Sequence, residues 1–184
     1  ETICALFCVI LTSDLYLTLI MEQSFALSSE LTKAERYGEF LRQFEALVEG
    51  IDDEISVMAN ASAALREAFG FFWVGFYRVK GNELVLGPFQ GSVACYRIKH
   101  GRGVCGTAWA QGQTVVVPDV EQFPGHIACS SLSRSEIVVP IFSAGENPEV
   151  RSVLDIDSEH YATFDDTDRC YLEELAAILS RTLY

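Results

Sequence analysis

Between Gly101 and Val139 the chain carries two cysteines, Cys105 and Cys129, together with His126, Glu136 and a run of glycine, proline and serine; a third cysteine, Cys95, stands just upstream. Cysteines that only fill a core sit in apolar runs, whereas reactive thiols sit in polar, partly exposed loops. Cys129 follows His126 by three residues and leads into Ser130, Ser131 and Ser133. A free thiol of pKa about 8.5 is only a few per cent thiolate at neutral pH, so nearby donors or an imidazole matter for a nucleophile. His126 reads either as the group that orients this thiol or as a cap on its loop. Cys105, in Gly-Val-Cys-Gly at an expected helix start, is placed where a helix N-terminus favours the thiolate; the alternative is a small residue demanded by tight packing. Cys95 ends a Gly-Ser-Val-Ala run suited to a resolving thiol, which must swing toward a sulfenic acid to close a disulfide. Cys170, in the C-terminal helix, reads as core. The set points to thiol redox chemistry.

Carboxylates form the second constellation. Glu136 opens the strand after the Cys129 loop, and Asp155 and Asp157 stand two apart in VLDIDS. Residues i and i+2 of a strand face one side. Two carboxylates aimed at one side of an apolar strand are costly unless they bind a cation or share a proton; the alternative is a solvent-facing strand end. Several acids around one pocket would select an ammonium group and keep a proton available for donation. Trp73 and Tyr77, four apart on an aromatic strand, share a face. They read as core, or as a wall opposite the acids that suits a small amine with an apolar or sulfur-containing tail. A zinc site would need paired ligand spacing, which Cys95, Cys105 and Cys129 with one nearby histidine do not supply. Gly101-Arg102-Gly103 lacks the GxxxxGK[ST] pattern of a phosphate cradle.

Positioning these groups falls to a short series of elements. Thr32 and Glu35 form a capping box for a helix with Tyr37, Leu41, Phe44 and Val48 at helical spacing. A second helix begins near Asp52, with Ile51, Ile55, Met58, Leu65 and Phe69 on one face and Gly70 at its end. Phe71 to Val79 is a strand, turned by Gly81-Asn82 into a hairpin, and a short strand is expected around Cys95 to Ile98. A short helix over Val104 to Ala110 ends at Gly112, and Thr114 to Val117 is a fourth strand. Asp119 to Arg134 is a long connection of the kind that carries function. Ser135 to Phe142 and Arg151 to Ile156 form a last hairpin. Asp165 caps a final helix striped by Leu172, Leu175, Leu179 and Leu183. This order predicts an α+β fold, an antiparallel sheet of about six strands with the N- and C-terminal helices on one face and long crossovers on the other.

Bulk properties narrow the partners. The 184 residues suit one domain with a real core. Thirteen basic against 26 acidic residues leave a net charge of -13, which repels phosphate backbones and argues against nucleic acid. Six cysteines without a CxxC pair are too sparse for a secreted disulfide scaffold and suit a reducing cytoplasm, where a disulfide is a catalytic intermediate. Residues 1–20 are apolar but interrupted by Thr12, Ser13 and Asp14 and lack a basic n-region, so they fit neither a membrane span nor a secretory signal. They read as an atypical extension ahead of Met21, with a single domain over 21–184, and their Cys4 and Cys8 are given no chemical role.

WVGFY (73–77), LVLGPFQG (84–91), GRGVCGTAWAQG (101–112), FPGHIACSS (123–131), SEIVVP (135–140) and VLDIDS (153–158) together resemble the free methionine-(R)-sulfoxide reductases, small enzymes of the GAF fold. The resemblance implies reduction of free L-methionine (R)-sulfoxide to methionine by a homodimer with no metal or organic cofactor, and thioredoxin as external reductant. It assigns Cys129 as the attacking thiolate and Cys95 as the resolving thiol, with Cys105 at a third family cysteine of less settled role. Glu136, Asp155 and Asp157 match the acids that hold the substrate ammonium and help protonate the departing oxygen, and Trp73 and Tyr77 match the aromatic wall around the methyl-sulfur end. Ser130, Arg134 and Ser152 stand where the family often has Asp, Asn and Gly. The runner-up readings are a GAF-type sensor that binds a small molecule without turnover and a thiol redox sensor.

Overall fold

A computed structural model describes residues 24–127 and 129–184; the extension at 1–20, with Cys4 and Cys8, lies outside the described residues. The element order is α1 (Lys33–Val48), α2 (Glu54–Phe69), β1 (Trp73–Lys80), β2 (Glu83–Gln90), β3 (Arg97–Lys99), α3 (Gly103–Gln111), β4 (Val115–Val117), β5 (Ser135–Phe142), β6 (Val150–Ser158) and α4 (Asp166–Leu183). The strands form one antiparallel sheet in the order β3-β2-β1-β6-β5-β4. No helix among the described residues is long and apolar enough to cross a membrane.

The helix ends are set locally, as the sequence predicts. Thr32 accepts from the Glu35 amide while the Glu35 carboxylate accepts from the Thr32 amide, so two otherwise orphaned donors at the start of α1 are satisfied. Asp165 and Asp168 do the same for α4. One face of the sheet packs against α2 and α4, with α1 across them, around Phe40, Phe44, Leu65, Phe76, Ile156 and Leu175. Full burial of side chains this size contributes about 1.5–3 kcal/mol each. The other face carries a separate apolar cluster beneath α3 and the long connections.

Three local readings change. Ile51 and Ile55 are 44% and 43% exposed. Met58 and Leu65 are buried as expected, and Val57, Ala61, Ala64 and Ala68 complete the buried arc of α2, whose centre lies about 120° around the helix from Ile55 at 3.6 residues per turn. Small alanines let this helix sit close on the sheet, and a search for large side chains overlooks them. Cys170 is exposed rather than core, because it precedes Leu172 by two positions and so lies about 200° around α4 from the buried stripe. The third strand spans Arg97–Lys99, which leaves Cys95 in the preceding loop.

The α1–α4 contact is polar where the N-terminal turns of the two helices meet. Lys33 pairs with Asp165 at 3.0 Å and also with Asp168, and the Tyr37 hydroxyl donates to Asp168 Oδ1 at 2.8 Å. Asp168 is buried, so losing one partner leaves a buried acceptor short. Tyr37→Phe is expected to lower unfolding free energy by about 1–3 kcal/mol, read from the urea midpoint at unchanged slope.

Candidate active site

Strand parity builds the floor of the site. On β6, Leu154 and Ile156 enter the helix-side core, so Val153, Asp155 and Asp157 face the opposite side. On β5, Ile137 and Val139 face the helices, leaving Glu136 and Val138 beside them. Asp157 pairs with Trp73 on β1 and with Glu136 on β5, so these three stand in one row across three strands. Asp155 lies in the next row on that face, opposite Gly75 and Val138. The aromatic wall is equally constrained. Trp73 Nε1 donates to the Ser92 carbonyl at 3.0 Å, and the indole stacks on Phe89 at 5.4 Å and near Tyr77 at 6.2 Å between centroids. A Cβ on Gly75 would lie 2.7 Å from Trp73 Cη2, and one on Gly91, at φ +142°, 2.4 Å from Trp73 Cδ1. These two glycines make the slot for the ring. Nothing local in the sequence marks them, because the need arises from a side chain elsewhere in the chain.

Two loops and a helix roof this floor. Cys95 and Cys129, 34 residues apart, are joined in a disulfide with a Cα–Cα distance of 5.5 Å. Cys95, the residue read as the resolving thiol, is therefore the one bonded to Cys129, and Cys105 is free. Cys105, in the first turn of α3, is buried, with Sγ 3.9 Å from Glu136 Oε1. Arg134, one of the departures from the family pattern, ties the exit of the Cys129 loop. Its guanidinium donates to the Ser131 and Ser133 carbonyls at 3.2 Å each, and its main chain bonds Ser158 and Val120. Ser152, another departure, meets the Tyr184 hydroxyl at 3.3 Å, away from the site. His126 lies at the pocket rim and its amide closes a turn by donating to Phe123 O at 3.1 Å. Trp73, Tyr77, Cys105, Cys129 and all three acids line one cavity, whose free volume beneath the disulfide is about 30 Å³. That is room for a water or two.

Known proteins fit this architecture along most of the chain. A GAF domain profile matches residues 52–183. The GAF domain-containing protein A of Dictyostelium discoideum is 54% identical over 152 residues, 82% of this chain and 94% of its own. The free methionine-R-sulfoxide reductase of Escherichia coli is 44% identical over 154 residues, 83% of this chain and 92% of its own. The X-ray structure of free methionine-R-sulfoxide reductase from Neisseria meningitidis in complex with its substrate is 56% identical and superposes with a TM-score of 0.81 over 87% of this chain and 95% of that one. The chain belongs to the free methionine-R-sulfoxide reductase family.

In this member of the reductase family, burial governs the titration of the floor. Glu136 is pushed well above the usual carboxylate range by burial and then by Asp155 and Asp157. Asp155 is pushed up by burial and by Asp157. Asp157 is raised by burial to about 6, against a hydrogen bond from Ser133 that favours its ionised form. Ser133, buried just ahead of β5, is a residue that sequence reasoning passed over as one of several loop serines. Of the two readings of Cys105, its surroundings favour the packed one: burial, Asp155 and Glu136 raise its thiol well above the ordinary value. The partial charge of a helix N-terminus is worth about 1 kcal/mol, too little against burial beside carboxylates, so Cys105 is held as a protonated thiol. Burial lowers the His126 imidazole, against the pull of Glu121, and so favours its neutral form.

These shifts carry a sign for stability. An acid whose folded pKa lies above its unfolded value holds its proton more tightly when folded, so stability is fullest below the ordinary carboxylate range and falls as pH rises through the raised value. For Asp157 that window runs from 3.8 to about 6, and Glu136 and Asp155 extend it upward. The unfolding temperature of the disulfide form is therefore expected to fall as pH rises from the ordinary carboxylate range through about 6 and beyond, and Glu136→Gln to flatten that fall. A calorimetric series checks both, and a temperature that rises across the window would contradict the buried-acid account.

Proposed function

We propose that the protein reduces free L-methionine (R)-sulfoxide to L-methionine by thiol chemistry at this cavity. The observation that carries the reading is the Cys95–Cys129 disulfide set over a row of buried acids beside an aromatic wall. Glu136 and Asp155 bind the substrate ammonium, an arrangement that a peptide nitrogen, neutral and substituted, does not satisfy. Trp73 and Tyr77 enclose the methyl-sulfur end.

A sulfoxide sulfur is attacked readily only as its oxygen accepts a proton, so an acid near the thiolate is required. Asp157, raised to about 6, is the proton donor, supported by Glu136. Cys129 Sγ attacks the substrate sulfur and the oxygen passes to Cys129, leaving methionine and a sulfenic acid. The Cys95 thiol then attacks the Cys129 sulfur, expelling water and forming the disulfide. Two electrons and two protons from thioredoxin restore the dithiol by exchange through a mixed disulfide. With the disulfide closed the cavity is narrow, with room for a water or two, and reduction frees the Cys129 loop to admit the next substrate. Cys105, protonated and buried, stands apart from both steps. The working form is a homodimer, which sedimentation checks.

The test is a coupled assay with thioredoxin, thioredoxin reductase and NADPH. Free methionine (R)-sulfoxide is expected to support steady NADPH oxidation, and the (S) epimer and peptide-bound sulfoxide are not. NADPH consumption that does not depend on sulfoxide would end the reductase reading and favour a sensor.

A further inference from the structure

Beneath the disulfide, Cys105 Sγ, a Glu136 carboxylate oxygen and an Asp155 carboxylate oxygen lie within 4.8 Å of one another, and all three residues are buried. Asp155 is 6% exposed, and its Oδ1 is buried with no hydrogen-bond partner. An unpaired buried carboxylate oxygen is a costly state that native proteins resolve with a donor or a cation. We propose that this floor is a zinc-binding site, with Cys105, Glu136 and Asp155 as its three protein ligands.

One ligand pair lies close to the spacing the ion requires, and the others, within 4.8 Å, draw in on binding. Zinc bonds thiolate sulfur at about 2.3 Å and carboxylate oxygen at about 2.0–2.2 Å, which sets tetrahedral S and O ligands about 3.6 Å apart. The Cys105 Sγ to Glu136 Oε1 distance is 3.9 Å, so that pair must close by a few tenths of an ångström. Three protein ligands leave a fourth position open, and the free volume of about 30 Å³ holds a water to fill it. The thiol sets the selectivity, since hard magnesium and calcium take oxygen ligands and a mixed sulfur–oxygen set suits zinc. Coordination displaces the Cys105 thiol proton to solvent.

The ligands come from α3, β5 and β6, framework elements rather than the Cys95 and Cys129 loops, so the site stands while the disulfide is closed. Cysteine and histidine spacing cannot reveal it, because two of the ligands are carboxylates and each comes from a different element. Zinc would occupy the acids that the reductase reading gives to the substrate ammonium; this consequence rests on that reading, and on it zinc and substrate exclude each other. The site itself rests on the geometry alone.

The oxidised protein, with Cys95 and Cys129 joined, is titrated with Co²⁺ as a spectroscopic stand-in and then with Zn²⁺. The expected result is a near-ultraviolet thiolate-to-cobalt band with tetrahedral d–d bands, both lost on addition of zinc. The band should vanish in Cys105→Ser and persist in Cys170→Ser. Asp155→Asn, which keeps the thiol and the volume, should raise the cobalt Kd at least about tenfold. A band that survives Cys105→Ser, an affinity unmoved by Asp155→Asn, or no band at millimolar cobalt would overturn the proposal. No turnover enters the measurement, so its failure leaves the reductase reading untouched, and loss of the reductase reading leaves this result standing.

Discussion

Cys129→Ser is expected to abolish even one stoichiometric reduction of methionine (R)-sulfoxide, while Cys95→Ser completes a single turnover and then stalls. The proposal gives the two sulfurs of one disulfide unequal work. Cys129 forms the bond that breaks the substrate S–O bond, and a serine hydroxyl at neutral pH is a far weaker nucleophile, so the first-turnover rate should fall at least about 1000-fold. Cys95 acts only after methionine has formed, by attacking the sulfenic sulfur. Methionine released per enzyme without reductant separates the two: near zero for Cys129→Ser, near one for Cys95→Ser. In steady state with thioredoxin both variants fail. Mass spectrometry of the Cys95→Ser protein after one equivalent should find an added oxygen on Cys129. Equal loss in both variants at the first turnover would refute the division of roles.

The acids carry the second large effect, and it has two readouts of opposite sign. Removing one member of a buried, hydrogen-bonded charge pair costs about 2–5 kcal/mol, so Glu136→Gln or Asp155→Asn should lower kcat/KM for the free sulfoxide at least about 30-fold. Without substrate the same changes remove a group that burial, and then the neighbouring acids, push toward protonation. The unfolding temperature near pH 8 should therefore rise. Activity lost while stability is gained is the signature of acids retained for binding rather than for folding. A variant that loses stability and keeps its kcat/KM would show that these carboxylates serve the fold.

Much of this site was readable before any coordinates. Asp155 and Asp157 share a side, and so do Trp73 and Tyr77, because a strand alternates with period two wherever it sits. The capping residues Thr32, Glu35 and Asp165 acted as predicted because their partners lie within a turn. Family likeness in the motifs around the cysteines and acids supplied the roles.

Other features depended on distant groups. Cys105 looked like a thiol at a helix start, and only the arrival of Glu136 and Asp155 from β5 and β6 made it a buried, protonated one. Ile55 and Cys170 were misplaced because the buried arc of a helix is chosen by what packs on it, not by its largest apolar residues. Gly75, Gly91 and Ser133 carry meaning only beside Trp73 and Asp157.

By itself, then, the amino-acid sequence determined the order of elements, the caps and the parity of each strand, all of which rest on interactions within a few residues of chain. The tertiary structure alone decided that Cys95 and Cys129 lie close enough to bond, which acids are starved of water and how little room lies in the cavity. Burial and electrostatic fields are sums over neighbours that the chain brings together from far apart, and no local stretch contains them.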